Sequence, residues 1–460
     1  MPDRVSATSR RAIPAVEKVL QSVQGVDLPR SLVVAVVRRE LAALRAEKKI
    51  PSFDVIVQRV HDNLANLHRS RLQPIINGTG IIIHTNFGRA PLAPEAVLAL
   101  TSIASSYCNL EYDLSLGERG SRAAYLEQHL ALLCGAESAT LVNNCAAALV
   151  LIVRHFTKKK NEVVISRGEL VQIGGGFRIG EILEATGAKL REVGATNKTT
   201  GADYATAIGS NTAMILKVHR SNFFMSGFVA SPSSAEIGTL ARKKRIPFVE
   251  DLGSGAIMPT ERLGLSDHEP TPAETLKRGA DLVCFSGDKL FGGTQAGIIA
   301  GKARFISGLK REPFFRALRC DKLVLAALEA TVDLHLRNKI DSIPALALLR
   351  LSTDELRKRG EALIEHLRGL SLEAHIGEGE AQIGGGALPC SVIQSVTLDL
   401  WSRDFSPNEL AAFCRKCTPP VIGYVAKGRF KLDLRTILPE QDDQVLTALR
   451  AVSKTTGNVA

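Results

Sequence analysis

Lys289 stands in Val283-Cys284-Phe285-Ser286-Gly287-Asp288-Lys289-Leu290-Phe291-Gly292-Gly293: an apolar run, a small and acidic stop, one lysine, then glycines. The apolar run predicts a buried strand, and a strand end can present an amine against a flat cofactor. Pyridoxal phosphate enzymes display the lysine that forms their Schiff base in this way. Thirty-eight positions upstream, Phe248-Val249-Glu250-Asp251 ends another apolar run in a carboxylate, followed by Leu252-Gly253-Ser254-Gly255. A carboxylate beside a pyridine nitrogen keeps it protonated, so the ring can accept electrons from a substrate carbanion. A lysine in a turn, or an aspartate at a strand end, is ordinary by itself. The ordered pair points to pyridoxal phosphate, with Asp251 as the partner of the ring.

Further groups fit such a site. Asn143-Asn144-Cys145 closes an apolar run and precedes a helical pattern from Ala146 to Val153. The N-terminus of that helix would suit the cofactor phosphate, with Asn143, Asn144, Cys145 and Ser286 as side-chain contacts. Plain N-capping by asparagine is the competing use. His219 is available to the cofactor ring or its 3′ oxygen, and equally to the core. Arg89 follows the run ending Ile83-His84-Thr85-Asn86, and Arg316 and Arg319 are three apart, so a helix would project both from one face. Fork-shaped guanidinium groups suit tetrahedral oxyanions; a structural ion pair is their ordinary use, and spacing alone leaves both open. Gly117-Glu118-Arg119-Gly120-Ser121-Arg122 is a glycine-punctuated basic loop suited to phosphate or to a neighbouring subunit. No metal site is expected: Cys414 and Cys417 have CxxC spacing but no second pair, and read as reduced thiols on a helix.

Three segments must position these groups. Residues 1–73 read as short helices, with Ile13, Val16, Val19, Leu20 and Val23, then Leu32, Val33, Val36, Val37, Leu41 and Leu44, at helical spacing. Gly25, Pro29 and Pro51 punctuate them. Residues 74–338 alternate apolar runs with amphipathic stretches. Ala139 to Val142, Val163 to Ser166, Ala213 to Val218, Pro247 to Asp251, Leu282 to Ser286 and Gly297 to Ala300 are the expected strands. That alternation predicts an α/β fold with a mainly parallel sheet flanked by helices, whose ligands gather at the carboxyl ends of the strands. Residues 339–460 read as a smaller α+β domain, with strands at Val392 to Leu400 and Phe430 to Leu434. Gln-Ile-Gly-Gly-Gly occurs at 172 and again at 382 without matching flanks, which does not make a repeat.

The whole chain has 460 residues, 45% hydrophobic and 23% charged, ordinary for a globular protein of about three domains. Eight cysteines are too sparse for a disulfide scaffold. Met1 to Leu20 lacks the apolar core of a secretory signal, and no apolar run reaches membrane-span length, so a cytoplasmic protein without a membrane partner is expected. The net charge is +11, and residues 1–73 hold 13 Lys and Arg against 7 Asp and Glu. That surplus of six points to a polyanionic partner near the N-terminus, or to a solvated basic face.

In order along the chain, Gly80 to Pro91, Asn109-Leu110-Glu111-Tyr112-Asp113-Leu114, Ser166-Arg167-Gly168-Glu169-Leu170-Val171, Asp251-Leu252-Gly253-Ser254-Gly255, Phe285-Ser286-Gly287-Asp288-Lys289-Leu290 and Arg316-Ala317-Leu318-Arg319-Cys320-Asp321-Lys322 resemble one family. It is that of bacterial selenocysteine synthase, the L-seryl-tRNA(Sec) selenium transferases, and the resemblance covers almost the full length. It implies the fold-type I architecture of pyridoxal phosphate transferases, a helical N-terminal domain that binds tRNA, and a homo-oligomer built as a ring of dimers with active sites between subunits. It also implies that Lys289 is the Schiff-base lysine, that Asp288 lies beside it, and that Arg89, Arg316 and Arg319 hold selenophosphate, the selenium donor. The implied reaction turns seryl-tRNA(Sec) into selenocysteinyl-tRNA(Sec) by loss of water and addition of selenium. Five positions depart from the family pattern: Gln172 replaces Glu, Cys145 Asn, Arg220 Thr, Phe223 Tyr and Thr294 Pro. The rival reading is a pyridoxal phosphate lyase or transferase acting on a small amino acid or amino sugar, against which the basic N-terminal helices argue.

Overall fold

The computed structural model describes residues 12–456 apart from Gln24, Val26 and Lys48, so the outer ends of the first and last segments read above lie outside the described residues. The chain divides into two compact units, Met1–Ile75 and Ile76–Ala460. In the first, helices α1 (Val16–Ser22), α2 (Arg30–Ala43) and α3 (Phe53–Arg69) enclose a small core of Val19, Val23, Val33, Val37, Leu41, Ile56, Val60 and Leu64. Ile56, Val60 and Leu64 recur every fourth residue, so one stripe of α3 is buried while its other faces stay polar. Pro29 caps α2 at the start, where a missing N–H costs nothing. Arg59 closes the bundle through Glu47, 2.6 Å away, whereas Arg38 and Arg39 of α2 are exposed.

In the second unit, α4 (Pro94–Ala104) and α5 (Ala124–Leu133) precede a seven-stranded sheet. Its strands are β1 (Ser138–Val142), β2 (Glu162–Ser166), β3 (Lys189–Val193), β4 (Thr212–Val218), β5 (Phe248–Gly253), β6 (Leu282–Ser286) and β7 (Gly297–Gly301). They lie in the order β1-β7-β6-β5-β4-β2-β3, and β7 alone runs antiparallel to both its neighbours. Alternation along each strand feeds two cores. Val164, Ile215, Val283 and Ile298 pack under α5 and α8 (Lys322–Leu336) on one face. Val163, Ile165, Met214, Leu216 and Ile299 pack under α6 (Cys145–Phe156) on the other. Burial on both faces is why these strands read as continuous apolar runs.

Six of the seven strands match the apolar runs expected from the sequence. The seventh, β3, is the sheet's edge, and Lys189, Arg191 and Glu192 along it face solvent, so it lacks the apolar signal. Beyond α8 a four-stranded antiparallel sheet forms from β8 (Leu372–Gln382), β9 (Val392–Ser402), β10 (Tyr424–Ala426) and β11 (Arg429–Asp433), in the order β8-β9-β11-β10. Its core includes Leu372, Val396, Leu398, Leu400, Phe430 and Leu432. β8 was not among the expected strands, since Gly377, Glu378, Gly379 and Glu380 interrupt any apolar alternation along it. Among the described residues no helix is long and apolar enough to cross a membrane.

Candidate active site

Strand ends converge on one cavity of about 540 Å³. β1 leads into α6, β4 into His219, β5 carries Asp251, and β6 passes into the turn that bears Asp288 and Lys289. Thr85, Asn86, Arg89, Asn144, Cys145, His219, Asp251, Ser286, Asp288 and Lys289 all line it. The Lys289 amine stands close to two glycines: a Cβ on Gly386 would lie 2.7 Å from Nζ, and one on Gly253 3.9 Å. Gly386 has φ +86°, a backbone state that disfavours any side chain there.

Asp251 is 8% exposed, and its Oδ1 accepts the Gly253 N–H at 3.0 Å and the Cys145 thiol at 3.4 Å. Burial pushes its carboxyl above the usual carboxylate range, opposed by Lys289, the Cys145 thiol and the Gly253 N–H. The register sets Asp251 opposite Cys284 on β6, and the ligand atoms of Cys145, Asp251 and Cys284 lie within 4.8 Å of one another. The Cys284 thiol pulls Cys145 down, but burial and the Asp251 charge outweigh it, so Cys145 titrates above its ordinary value. Cys145 is thus a protonated donor to Asp251.

Asn144 caps α6 through an Oδ1 that accepts the Ala147 N–H at 2.8 Å, while Cys145 and Ala146 of the first turn face the cavity. Asn143 is elsewhere: it is exposed, its N–H donates to the Leu318 carbonyl at 2.9 Å, and it does not line the cavity. Arg89 Nη1 donates to Asp288 Oδ2 at 2.7 Å, and Asp288 is buried with Oδ1 unpartnered among the described residues. The His219 N–H donates to the Asp251 carbonyl at 2.8 Å, locking the ends of β4 and β5 together.

Arg316 and Arg319 are placed differently from the helical expectation. Pro313–Leu318 is a 3₁₀ turn, and Arg319 is already in extended backbone, because Pro313 opens the segment and Asp321 caps α8 directly after it. Both arginines line a second cavity of about 440 Å³ together with Arg122, and not the one that holds Lys289. Glu111, outside that lining, gathers Arg319 at 3.1 Å, Arg122 at 3.6 Å and Arg119 at 2.8 Å.

The family described as L-seryl-tRNA selenium transferase matches residues 75–438. An L-seryl-tRNA(Sec) selenium transferase from Geobacter sulfurreducens is 41% identical over 457 residues, spanning 96% of this chain and 98% of the relative. A protein of the same description from Clostridium perfringens strain 13 is 45% identical over 387 residues, 83% of each chain. The chain belongs to the L-seryl-tRNA selenium transferase family. Among solved structures, a D-glucosaminate-6-phosphate ammonia-lyase superposes with a TM-score of 0.56 at 20% identity, covering 84% of this chain and 96% of that one, which bears on the fold alone. That fold is the fold-type I architecture.

The cavity fits the pyridoxal phosphate to which the sequence points. A buried carboxylate with a burial-raised proton affinity calls for a cation against it, an amine stands between glycines, and a twelve-residue helix starts at the wall. Several lining residues escaped the sequence reading: Ser221, Asn222, Gln295, and the glycines of both Gln-Ile-Gly-Gly-Gly segments. Gly174 and Gly175 come from one copy and Gly385 and Gly386 from the other, so both pentapeptides line the cavity although they form no repeat. Of the family departures, the Gln172 carbonyl accepts from Asn222 at 2.8 Å, Thr294 Oγ1 reaches the Val324 carbonyl at 3.4 Å, Arg220 touches the Met225 sulfur at 3.9 Å, and Phe223 packs on the α6 face.

Proposed function

We propose that this enzyme converts L-seryl-tRNA(Sec) into L-selenocysteinyl-tRNA(Sec) in the cytoplasm, taking selenium from selenophosphate. Serine would lose its β-hydroxyl and its Cα proton as water, giving dehydroalanyl-tRNA. Selenium of the donor then bonds to the β-carbon as the double bond opens and Cα takes back a proton, and water cleaves the phosphorus–selenium bond to release phosphate. The observation that carries this reading is the Lys289 amine sharing one cavity with the Asp251 carboxylate. When bound, pyridoxal phosphate supplies the electron sink that makes the Cα proton removable.

The chain's own groups supply the rest. The first turn of α6, behind the Asn144 cap, would receive the phosphate through backbone N–H groups such as that of Cys145, with Ser286 adding a hydroxyl. Asp251, oriented by the Cys145 thiol and the Gly253 N–H, would pair with the ring nitrogen. Lys289 takes the Cα proton. Arg89, held by Asp288, contributes positive charge for the donor. Arg316 and Arg319 would complete that anion site from a second copy of the chain, in a homo-oligomer built as a ring of dimers. The exposed Leu98, Tyr107, Leu114, Leu116 and Leu132 support burial against another copy. Residues 1–73 would bind tRNA through exposed cations such as Arg38 and Arg39, with 74–338 as catalytic domain and 339–460 as the small domain.

The test is to incubate the protein with seryl-tRNA(Sec) and selenophosphate, then identify the amino acid on the tRNA. Selenocysteine is expected. Unchanged serine with the cofactor bound would move the reading to a small-molecule lyase.

A further inference from the structure

Glu269 takes no part in the chemistry above, yet it is 1% exposed and lies behind the cavity rather than on its wall. A carboxylate so far from water needs a donor, because an unpaired buried charge is among the costliest groups a fold can hold. Its Oε1 lies 3.1 Å from His219 Nε2. In this ring rotation Nε2–H is not aligned for a hydrogen bond to it, and among the described residues no other donor satisfies that oxygen. The backbone around Glu269 is firmly tied. Its N–H donates to Thr260 Oγ1 at 3.1 Å, the same hydroxyl donates to the Asp267 carbonyl at 2.7 Å, and Thr271 caps the next helix. The backbone that carries the carboxylate is therefore held in place, and the group itself is buried.

His219 is the other half. It lines the cavity beside Asp251, with its backbone N–H bonded to the Asp251 carbonyl and its own carbonyl accepting the Ser221 N–H at 2.9 Å. Backbone contacts fix where the ring is rooted but not its rotation about the Cβ–Cγ bond. An imidazole has two nitrogens, and the hydrogen bond made by one decides what the other can offer.

We infer that Glu269 is a positioning residue that acts through His219, engaging Nε2–H so that the ring is set in rotation and Nδ1 is the nitrogen left for the cofactor. This rests on the pyridoxal phosphate reading of the cavity and extends it to a residue outside the wall. An acceptor oxygen is what the role requires. A side chain that keeps an oxygen there should preserve it, and one that does not should lose it even where the fold survives.

The test is a double-mutant cycle in the full chain, read as the dissociation constant of pyridoxal phosphate titrated into cofactor-free enzyme and as the absorbance of the bound cofactor. Glu269→Ala and His219→Ala should each weaken binding on the order of tenfold and change the absorbance alike, as expected for one lost charge-assisted hydrogen bond. The double variant should be no worse than either single one, within about threefold, because both remove one interaction. Glu269→Gln, which keeps an oxygen, should return to within about threefold of the parent. Multiplying effects, or a Glu269→Ala chain that binds cofactor as the parent does, would overturn the inference. If Glu269→Ala does not fold, the cycle runs with Glu269→Leu, which fills the volume but offers no acceptor oxygen, and His219→Ala, and multiplication of their effects overturns it equally. Lys289→Ala separates the two levels: if it keeps absorbance that borohydride fixes to the protein, the cavity reading fails; if it loses it and the cycle multiplies, only the role of Glu269 fails.

Discussion

Removing the Arg89 side chain should strand a buried charge, and the loss can be sized from its surroundings. Asp288 has 8% of its side chain exposed, with one oxygen held by Arg89 at 2.7 Å and the other unpartnered among the described residues. Breaking a buried ion pair from one side costs about 3–5 kcal/mol. Arg89 is 32% exposed, so water screens part of that, and about 2 kcal/mol is expected for Arg89→Ala. Alanine is the right probe because Arg89 has φ +67°, and both residues bear the same left-handed strain, which a glycine would release. Asp288→Asn removes the charge but keeps an acceptor, and should cost about 1 kcal/mol. In the double variant no charge is stranded, so its loss should fall short of the sum by about 1–2 kcal/mol. The backbone bond from the Ala90 N–H to the Asp288 carbonyl, 3.3 Å, is common to all four chains and cancels. Urea unfolding followed by far-ultraviolet circular dichroism, at one pH and salt, measures each corner. Additivity within about 0.5 kcal/mol would refute the claim that Arg89 compensates the buried carboxylate.

Two other predictions concern distant parts of the chain. Replacing Arg38 and Arg39 together with alanine should weaken tRNA binding and reduce the slope of log affinity against log salt by about 1.4–1.8, since each phosphate contact contributes about 0.7–0.9; an unchanged slope in filter binding would remove α2 from the tRNA surface. Burial holds His335 below its ordinary 6.5, against the opposing pull of the Phe291 carbonyl that its Nε2 meets at 2.9 Å. The folded chain therefore binds this proton less tightly than the unfolded one. Stability from the neutral ring is complete above about pH 6.5 and is lost as pH falls below it, by up to about 1.4 kcal/mol per pH unit. The His335→Gln variant should show a shallower acid limb in urea unfolding; parallel curves would exclude this group.

Much of the site was legible because its chemistry sits on buried parallel strands. Lys289 and Asp251 each end an apolar run that must be covered on both faces, and such runs stand out in any sequence. The helix after Asn144 was visible for the same reason. Asn143 and Asn144 look interchangeable in sequence, yet only the second turns inward, because the first is spent on the segment of Leu318 and Gln295. Cys145 was expected to contact phosphate through its side chain, whereas its thiol donates to Asp251. No local pattern carries that, since it depends on the register that sets Cys284 beside Asp251.

The sequence by itself determined the family, the parallel sheet and which strand ends carry Lys289 and Asp251. Periodicity and strand-end residues are local properties, and they survive without knowledge of the fold. Only the tertiary structure decided that Gly386, 97 positions beyond Lys289, closes on its amine. It likewise decided that Glu269 backs His219, and that Arg316 and Arg319 line a cavity of their own within the chain. These are pairings between residues far apart in sequence, fixed by how a sheet and its loops pack, and spacing along the chain holds no measure of them.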